Sequence, residues 1–587
     1  MIVPMKKVTV IVQKQDARTA VESMRSLGVL HVEHEIAPAG KDINDLEQDL
    51  ALLDRAIAIL SDSEFSAKKA VADKKLNDWK VSARHILDLR SRYEQLQKYS
   101  SVLKKDISAW QAWGDFNPQT VQYLAKRNIH IRFYQIPLSE IKDLPDEVIV
   151  RKISARAGIA NCAVITQKKI EISFPELSLP KMGLARLKAR LAEDIRVAQT
   201  IKEQIKQHLV YRESFLAAKK LLENELELHQ ARRGMGQSGN FMYLTGYAPF
   251  DAAKSLLETA KKEKWGILVR DPTQEDSVPT LIRNPRWISV INPVFKIINV
   301  VPGYNELDIS LWFLLFFSIF FAMLIGDAGY GMIFLCGTFF AQRKWGARLN
   351  DKSVFILFYI LSLCTIIWGA LTGTFFGQGW LPQSVKPLLP ALRNSRTIQA
   401  LCFLLGAIHL SIAHFWRALI KFPSPRALAE AGWIAILWSA YFLARTLILG
   451  NSFPVAAKLL IIAGIILVVF FTQPQKNIIK GIGVGIGNLL LNLINNFTDI
   501  VSYIRLFAVG LATVAVADAF NMMAMDVGFS NIFTGFVTML ILIFGHALNI
   551  LLGPMAVLVH GVRLNVLEFS NHIDVRWSGF AYRPLKS

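Results

Sequence analysis

Cysteine is scarce: four in 587 residues (Cys162, Cys336, Cys364, Cys402), none in a C-x-x-C pair and three inside apolar runs. That leaves nothing for a disulfide framework or a thiolate metal site. The start, MIVPMKKVTVIV, lacks a long apolar h-region and a cleavage site, so no signal peptide is read and the polar half is expected in the cytoplasm. A net charge of +20 comes without any Lys/Arg cluster interleaved with aromatics, so no nucleic-acid partner is expected. The excess fits cytoplasmic-side bias and attraction to anionic lipid instead. Nucleotide loops are missing too. GMGQSG (Gly234 to Gly239) has the letters of G-x-G-x-x-G but follows a helical arm and precedes a strand, the reverse of the required context, and is read as a flexible loop. The run Gly481, Gly483, Gly485, Gly487 has no following Lys-Ser/Thr. His31 and His34 lie on a short strand, and His409 and His414 are five apart on a helix, so neither pair offers two ligands on one face. Packing or interface roles are expected for them, with no metal and no cofactor.

Charge is only 19% of the chain and hydrophobic residues 52%, and the two are segregated. The first 270 residues hold most of the Lys, Arg, Asp and Glu; the last 280 are mostly apolar. The opening alternation Val8, Val10, Val12, an amphipathic segment at 17–27 and VLHVEH after Gly28 predict strand, helix, strand. Leu46, Leu50, Leu53, Ile57 and Leu60 then step by four and three, as a coiled-coil seam does. A second seam follows Pro180: Leu184, Leu187, Leu191, Ile195, Ala198, Ile205 and Leu209. Between them lie the strand-like runs IHIRFYQI and CAVITQ; after them come FMYLTGYAPF, a helix and WGILVRD.

The expected fold is mostly α. A cytoplasmic α+β dumbbell (1–300) combines a proximal lobe (1–41 and 232–300), antiparallel coiled-coil arms (42–124 and 181–231) and a distal lobe (125–180). A membrane domain of eight helices (301–587) follows, with two long tilted ones. Its candidate spans are 308–325, 329–341, 353–372, 398–418, 429–449, 455–472, 484–525 and 532–569, the first two joined by a tight hairpin at GDAGYG. Loops after spans two, four and six, with the tail, carry Arg343, Lys344, Arg348, Lys352, Arg417, Lys421, Arg426, Lys476, Lys480, Arg576, Arg583 and Lys586. The opposite loops carry Lys386, Arg393 and Arg396, so both termini are expected on the cytoplasmic side.

The seventh span holds the chemistry. Asn488, Asn492, Asn495, Asp499, Ser502 and Arg505 fall on one helix face, which continues as Ala508, Ala512, Ala515 and Ala519. A polar stripe becomes a smooth one at a single arginine. An arginine at mid-membrane costs roughly 2.5 to 3.5 kcal/mol on insertion scales and usually faces a pathway or a partner. Asp499 and Asp518 are six and thirteen residues away, neither at helical contact spacing. The eighth span repeats the pattern with His546, Asn549, Gly553, Ala556, His560 and Arg563. Two antiparallel helices, each with an inward arginine, point to an ion pathway. If Arg505 lies opposite Arg563, Asp499 falls near Glu568 on one side and Asp518 near His546 and Asn549 on the other. A self-contained transporter would usually show two related halves, and a coiled-coil scaffold has no use for two intramembrane arginines.

SYIRLFAVGLA (Ser502 to Ala512), with Asp499 ahead of it, resembles the seventh-helix signature of the a subunit, called I in bacteria and archaea, of V/A-type rotary ATPases. GHALNILLGPMAVLVHGVRLNVLEF (Gly545 to Phe569) resembles the eighth, with His560, Arg563 and Glu568 at its signature positions. GDAGYG and the Pro302 to Glu306 approach are similar as well. The resemblance implies a non-catalytic stator, with H⁺ or Na⁺ half-channels and Arg505 facing the carboxylates of a rotating ring. Cytoplasmic access would use Asn488, Asn492, Asn495, Asp499 and Glu568, and exit Asp518, His546 and Asn549. Implied partners are a c/K-type proteolipid ring, E/G-type peripheral stalks, a d/C-type central-stalk subunit and lipid, in a bacterial or archaeal cell membrane. The chain departs from the eukaryotic pattern at Leu491 and Gly553, where Glu is usual there, and at Thr513 and Asn565, where His is.

Overall fold

Side chains repeating every three or four residues decide both halves, once as a dry seam between helices and once as a greasy outer face. The computed structural model describes all residues except 66–77, 142–144, 146–147, 157, 168–171, 348, 350, 378–386, 473–477 and 587. The side chains of 478–482, 484–485 and 488 are also outside the description. Arg348, Lys386 and Lys476, counted above for orientation, therefore lie outside the described residues, as do the side chains of Lys480 and Asn488. The chain divides into two units: Met1–Val8 with Tyr247–Thr259 and Leu268–Pro584, and Thr9–Gly246 with Ala260–Ile267 and Leu585–Ser587.

The strand, helix, strand opening is present as β1 (Met5–Gln13), α1 (Ala17–Leu27) and β2 (His31–Glu33). The sheet order is β2, β7 (Phe241–Pro249), β1, β8 (Gly266–Arg270), with β6 (Gly236–Ser238) paired to β7. GMGQSG is therefore not a flexible loop. Gln237 and Ser238 face Met242 and Phe241 across a two-residue turn, where Gly239 takes φ of 58°. A left-handed residue in a two-residue hairpin is what glycine supplies.

The arms comprise α2 (Lys41–Ser61), α3 (Trp79–Trp110), α5 (Leu184–Gln207) and α6 (Arg212–Arg233); α2 packs on α6 and α3 on α5. Leu53, Leu60, Ile86, Leu89, Ile201, Ile205 and Phe215 share one core. The second seam differs from expectation in one place. Ile195 is 49% exposed, whereas Asp194 is 2% exposed. The heptad steps 184, 187, 191, 194, 198, 201, 205 hold throughout, so an acid occupies a core position, with Arg190 Nε 3.2 Å from its Oδ1. Reading only apolar letters moved the seam onto its neighbour. Between the arms, α4 (Pro118–Ala125) precedes a three-stranded antiparallel sheet, β3 (His130–Pro137), β5 (Ile159–Thr166), β4 (Ile149–Arg156) in that order. Strand β4 was not anticipated.

The apolar half begins after α7 (Ala253–Lys262) and the short α8 (Asn292–Ile298). Its helices are α9 (Ser310–Ile325), α10 (Ala328–Trp345), α11 (Ser353–Thr372), α12 (Ser395–Lys421), α13 (Arg426–Leu449), α14 (Val455–Phe471), α15 (Ile478–Ser502), α16 (Ile504–Val527) and α17 (Ile532–Ala556). Leu459, Ile462, Ile466 and Phe470 make an exposed stripe along α14, each more than half exposed. In water such a face would be an aggregation patch; in lipid it is the favoured outside. Eight apolar runs do not make eight upright spans. Among the described residues five helical segments are long and apolar enough to cross a bilayer, six if the bent pair α9 and α10 counts as one. That pair turns by 120° at Gly326–Asp327, and α14 is only 17 residues. The two longest segments run 39 residues (Leu489–Val527) and 42 residues (Ile532–Ile573). At 1.5 Å per residue each is about twice the ~30 Å hydrocarbon core, so each must tilt or protrude.

GDAGYG has a direct physical account. Gly326 takes φ of 71° to end α9. The fully buried Asp327 then accepts four backbone N–H bonds: Gly329 (2.7 Å), Tyr330 (3.2 Å), Phe376 (2.9 Å) and Gly377 (2.8 Å). It caps α10 and fastens the loop after α11 in one stroke. Glu306 of the Pro302 to Glu306 segment likewise accepts from Gly303 N (2.7 Å), Arg576 N (3.1 Å) and Trp577 N (3.2 Å), tying the tail down.

Candidate functional site

Arg505 is set by the residue two positions before it. Tyr503 interrupts the helix between α15 and α16, where Tyr503 N bonds Ile500 O (3.2 Å) and Leu506 N bonds Tyr503 O (3.1 Å). These i to i−3 bonds tighten the turn. Tyr503 is wholly buried, its Oη 2.8 Å from His409 Nδ1. Its ring lies so close to Gly406 that a Cβ there would sit 2.7 Å from Cδ2. The His409 ring in turn stacks between Phe316 (centroids 3.8 Å apart) and Phe569 (4.3 Å). With its neighbour so held, Arg505 donates from Nε to Ser502 O (3.0 Å) and from Nη2 to Glu568 Oε1. Beyond it, Ala508, Ala512, Ala515 and Ala519 are all exposed, so the smooth face is an outer face.

Glu568 comes from the winding of the last long helix. After α17, Val557–Gly561 and Leu564–Phe569 are π-helical. In a π turn residues five apart stack, so Arg563 Nε reaches 3.6 Å from the same Glu568 Oε1. One carboxylate, 5% exposed, thus serves two guanidiniums, Arg505 at 20% and Arg563 at 56% exposure. Glu568 Oε2 and His560 Nδ1 are buried there without a hydrogen bond.

This corrects the expected pairing. Asp499 does not meet Glu568; its Oδ2 lies 3.1 Å from His572 Nε2. Nor does Arg505 simply oppose Arg563, because Glu568 sits with both. A π turn takes up more chain per turn than an α turn, so residues beyond it arrive at a shifted register.

The asparagine stripe lines a cleft of about 600 Å³. Asn492, Asn495, Asn496 and Asp499 form one wall; His414, Arg417, Lys421, Arg426, Glu430 and His572 form others. Within it, Glu430 Oε2 is 2.7 Å from His414 Nδ1, and His414 Nε2 is 2.9 Å from His572 Nδ1. Lys421 Nζ and Arg417 Nη2 lie 2.5 and 3.3 Å from Glu430 Oε1. These contacts run in a line rather than converging, and among the described residues no group of His, Cys, Asp and Glu could hold a metal ion.

The second polar cluster centres on a residue that sequence reasoning did not select. Tyr330 Oη lies 2.9 Å from His546 Nδ1 and accepts from Asn549 Nδ2 (3.0 Å), which also donates to Thr513 O (3.0 Å). Asp518 sits beside Gly377, where an added Cβ would come 2.4 Å from its Oδ1, and Asn521 donates to Phe376 O (2.6 Å). Gly553 is buried against Ile325 Cδ1, 2.6 Å from an added Cβ. A glutamate there would need Ile325 to move.

Missed outright were Tyr330, Tyr503, Glu430 and His572, while His414 was read only as a packing or interface residue. The available signal was Glu430, the single acid in the apolar run 426–449, together with Arg417 and Lys421 one and two turns past His414.

No family model matches the chain. It is 30% identical over 627 residues to V-type ATP synthase subunit I 1 of Treponema pallidum, covering 100% of both chains. V-type ATP synthase subunit I of Borreliella burgdorferi is 31% identical over 616 residues, covering 100% of this chain and 99% of that one. A-type ATP synthase subunit I of Methanocaldococcus jannaschii is 24% identical, covering 64% and 59%. A crystal structure of the cytoplasmic N-terminal domain of subunit I, homologue of subunit a, of a V-ATPase covers 45% of this chain and 100% of its own at 16% identity. Its TM-score is 0.21, too low to carry an argument. With two relatives at 30% identity or above matched end to end, the chain belongs to the subunit I family of the V/A-type ATP synthases.

Proposed function

We propose that this chain is the membrane stator of a rotary ATPase and forms two offset ion half-channels against a ring of carboxylate-bearing subunits. The observation that carries the reading is the charge count beside the alanine face. Two guanidiniums share one carboxylate, which leaves, among the described residues, one uncompensated positive charge next to an outward stripe of small side chains. A ring carboxylate sliding along that stripe would meet this charge and be held ionised, since a nearby cation favours the charged form. Loaded with its ion it is neutral and can face lipid. The same positive charge repels cations and closes the direct route between the half-channels.

In this reading the cleft at Asn492, Asn495 and Asp499 is the cytoplasmic access. The Tyr330, His546, Asn549 and Asp518 cluster serves the far side. A membrane potential of about 100 mV then contributes about 2.3 kcal/mol per charge moved. Both termini lie in the cytoplasm, the N-terminal helical arms brace E/G-type peripheral stalks, and a d/C-type subunit joins from the central stalk. Nucleotide chemistry belongs to other subunits. The test is Arg505→Gln in the assembled complex, reconstituted into liposomes. ATP-driven ion transport is expected to vanish while the complex still assembles; transport at the wild-type rate would refute the reading.

A further inference from the structure

We propose that Glu430, His414, His572 and Asp499 form one chain that holds a mobile proton and delivers it to Asp499, so that the ion carried is H⁺ and not Na⁺. The inference rests on the stator reading above and names its substrate.

The geometry demands an extra proton. The chain contains three contacts: Glu430 Oε2 to His414 Nδ1 at 2.7 Å, His414 Nε2 to His572 Nδ1 at 2.9 Å, and His572 Nε2 to Asp499 Oδ2 at 3.1 Å. Each is a hydrogen bond only if one proton lies in it. Two neutral imidazoles supply one apiece, and ionised carboxylates supply none. The third proton is therefore additional. It sits on one of the two imidazoles as imidazolium or on one of the two carboxyls as the acid.

The surroundings decide where. Lys421 and Arg417 reach Glu430 Oε1, and Arg417 Nη1 also donates to His572 O at 3.1 Å. Two cations keep Glu430 a carboxylate, so His414 donates to it from Nδ1. With His414 neutral, its Nε2 accepts from His572 Nδ1. Glu430 and His414 thus fix the orientation of His572 without themselves changing protonation. The one proton free to move lies between His572 Nε2 and Asp499 Oδ2. Asp499 is also the least buried of the four, at 21% exposure against 3 to 5% for the others.

The transfer balances. The Nε2–H bond of His572 breaks, its electron pair stays on Nε2, and an O–H bond forms on Asp499. A hydronium in the cleft, which at about 600 Å³ holds many waters, restores the proton on Nε2 and leaves as water. Asp499 passes its proton onward to the ring carboxylate. Sodium has no place in this scheme. At Asp499 it would meet an N–H donor, and Arg417, Lys421 and Arg426 line the approach.

The test uses the whole complex in liposomes, with ATP-driven acidification read by a ΔpH dye and uptake of radioactive Na⁺ measured in parallel. We expect acidification without added Na⁺ and no Na⁺ uptake. His572→Ala is expected to lower acidification about tenfold or more, as loss of a positioned proton carrier does, and free imidazole entering the cleft is expected to restore it. His572→Asn, which keeps the bulk and one hydrogen bond, is expected to be equally silent, and it decides the matter if the alanine variant does not assemble. Wild-type pumping by these variants, a loss that imidazole does not restore, or Na⁺ uptake would overturn the relay. Arg505→Gln separates the two readings. If it pumps, the stator assignment fails; if it is silent while His572 variants pump, only the relay fails.

Discussion

Replacing Glu568 by Gln tests the charge arrangement at its centre. The substitution keeps the shape and removes the single negative charge shared by Arg505 and Arg563. Two unit charges about 4 Å apart at an effective dielectric of about 20 attract by about 4 kcal/mol. Breaking a buried pair from one side typically costs roughly 3–5 kcal/mol, because the abandoned partner stays desolvated. Arg505 keeps 20% of its side chain exposed, which places the loss near the lower end, about 3 kcal/mol. Arg505→Gln should be milder, since Glu568 can fall back on Arg563, 3.6 Å away. The double variant should be destabilised by less than the two single effects together. The assay is denaturant unfolding of the detergent-purified chain, followed through its 13 tryptophans, arranged as a double-mutant cycle. If the single effects add to within about 0.5 kcal/mol, the two residues are not coupled and the site is built otherwise.

Asp327→Ala removes the acceptor for four backbone N–H groups in a dry hairpin; a loss of about 3 kcal/mol or more is expected in the same unfolding assay. Asp518→Asn should impair ATP-driven transport while leaving assembly intact; unchanged pumping would remove Asp518 from the path. Outside the membrane, a hydrogen bond from Lys7 Nζ at 2.7 Å holds the Asp276 carboxyl well below the usual carboxylate range. A depressed folded-state pKa stabilises fully above the unfolded value of about 4 and is lost as pH falls below it. The gap in melting temperature between wild type and Asp276→Asn should therefore be flat above about pH 5 and close on acidification.

The alanine face beyond Arg505 was legible because it lies within one helix, where a period of 3.6 residues places side chains without knowledge of any partner. The pairing across helices was not. Asp499 and Glu568 are assigned to each other by a straight antiparallel alignment, but π winding carries His572 to Asp499 instead. His414 was set aside because His409, five residues away, is not on its face. The histidine that matters to it is 158 positions distant. Asp194 shows the converse error: the heptad was right, and assuming that seams are apolar moved it by one. Local periodicity can be read from letters, whereas side chains brought together by tertiary packing cannot.

The two π turns between Val557 and Phe569 also make this helix unusually sensitive to its winding. Each differs from an ordinary turn by a single extra residue, so deleting one residue at either turn would let that turn relax to regular winding while the chain beyond it keeps its angular phase. Rewinding one π turn as α at full chain length would instead swivel everything downstream by about 100°. Glu568 would leave its two arginines and His572 would leave Asp499 together. The segment behaves as a vernier, in which the winding of one turn sets the angular phase of the carboxylate and the imidazole at once.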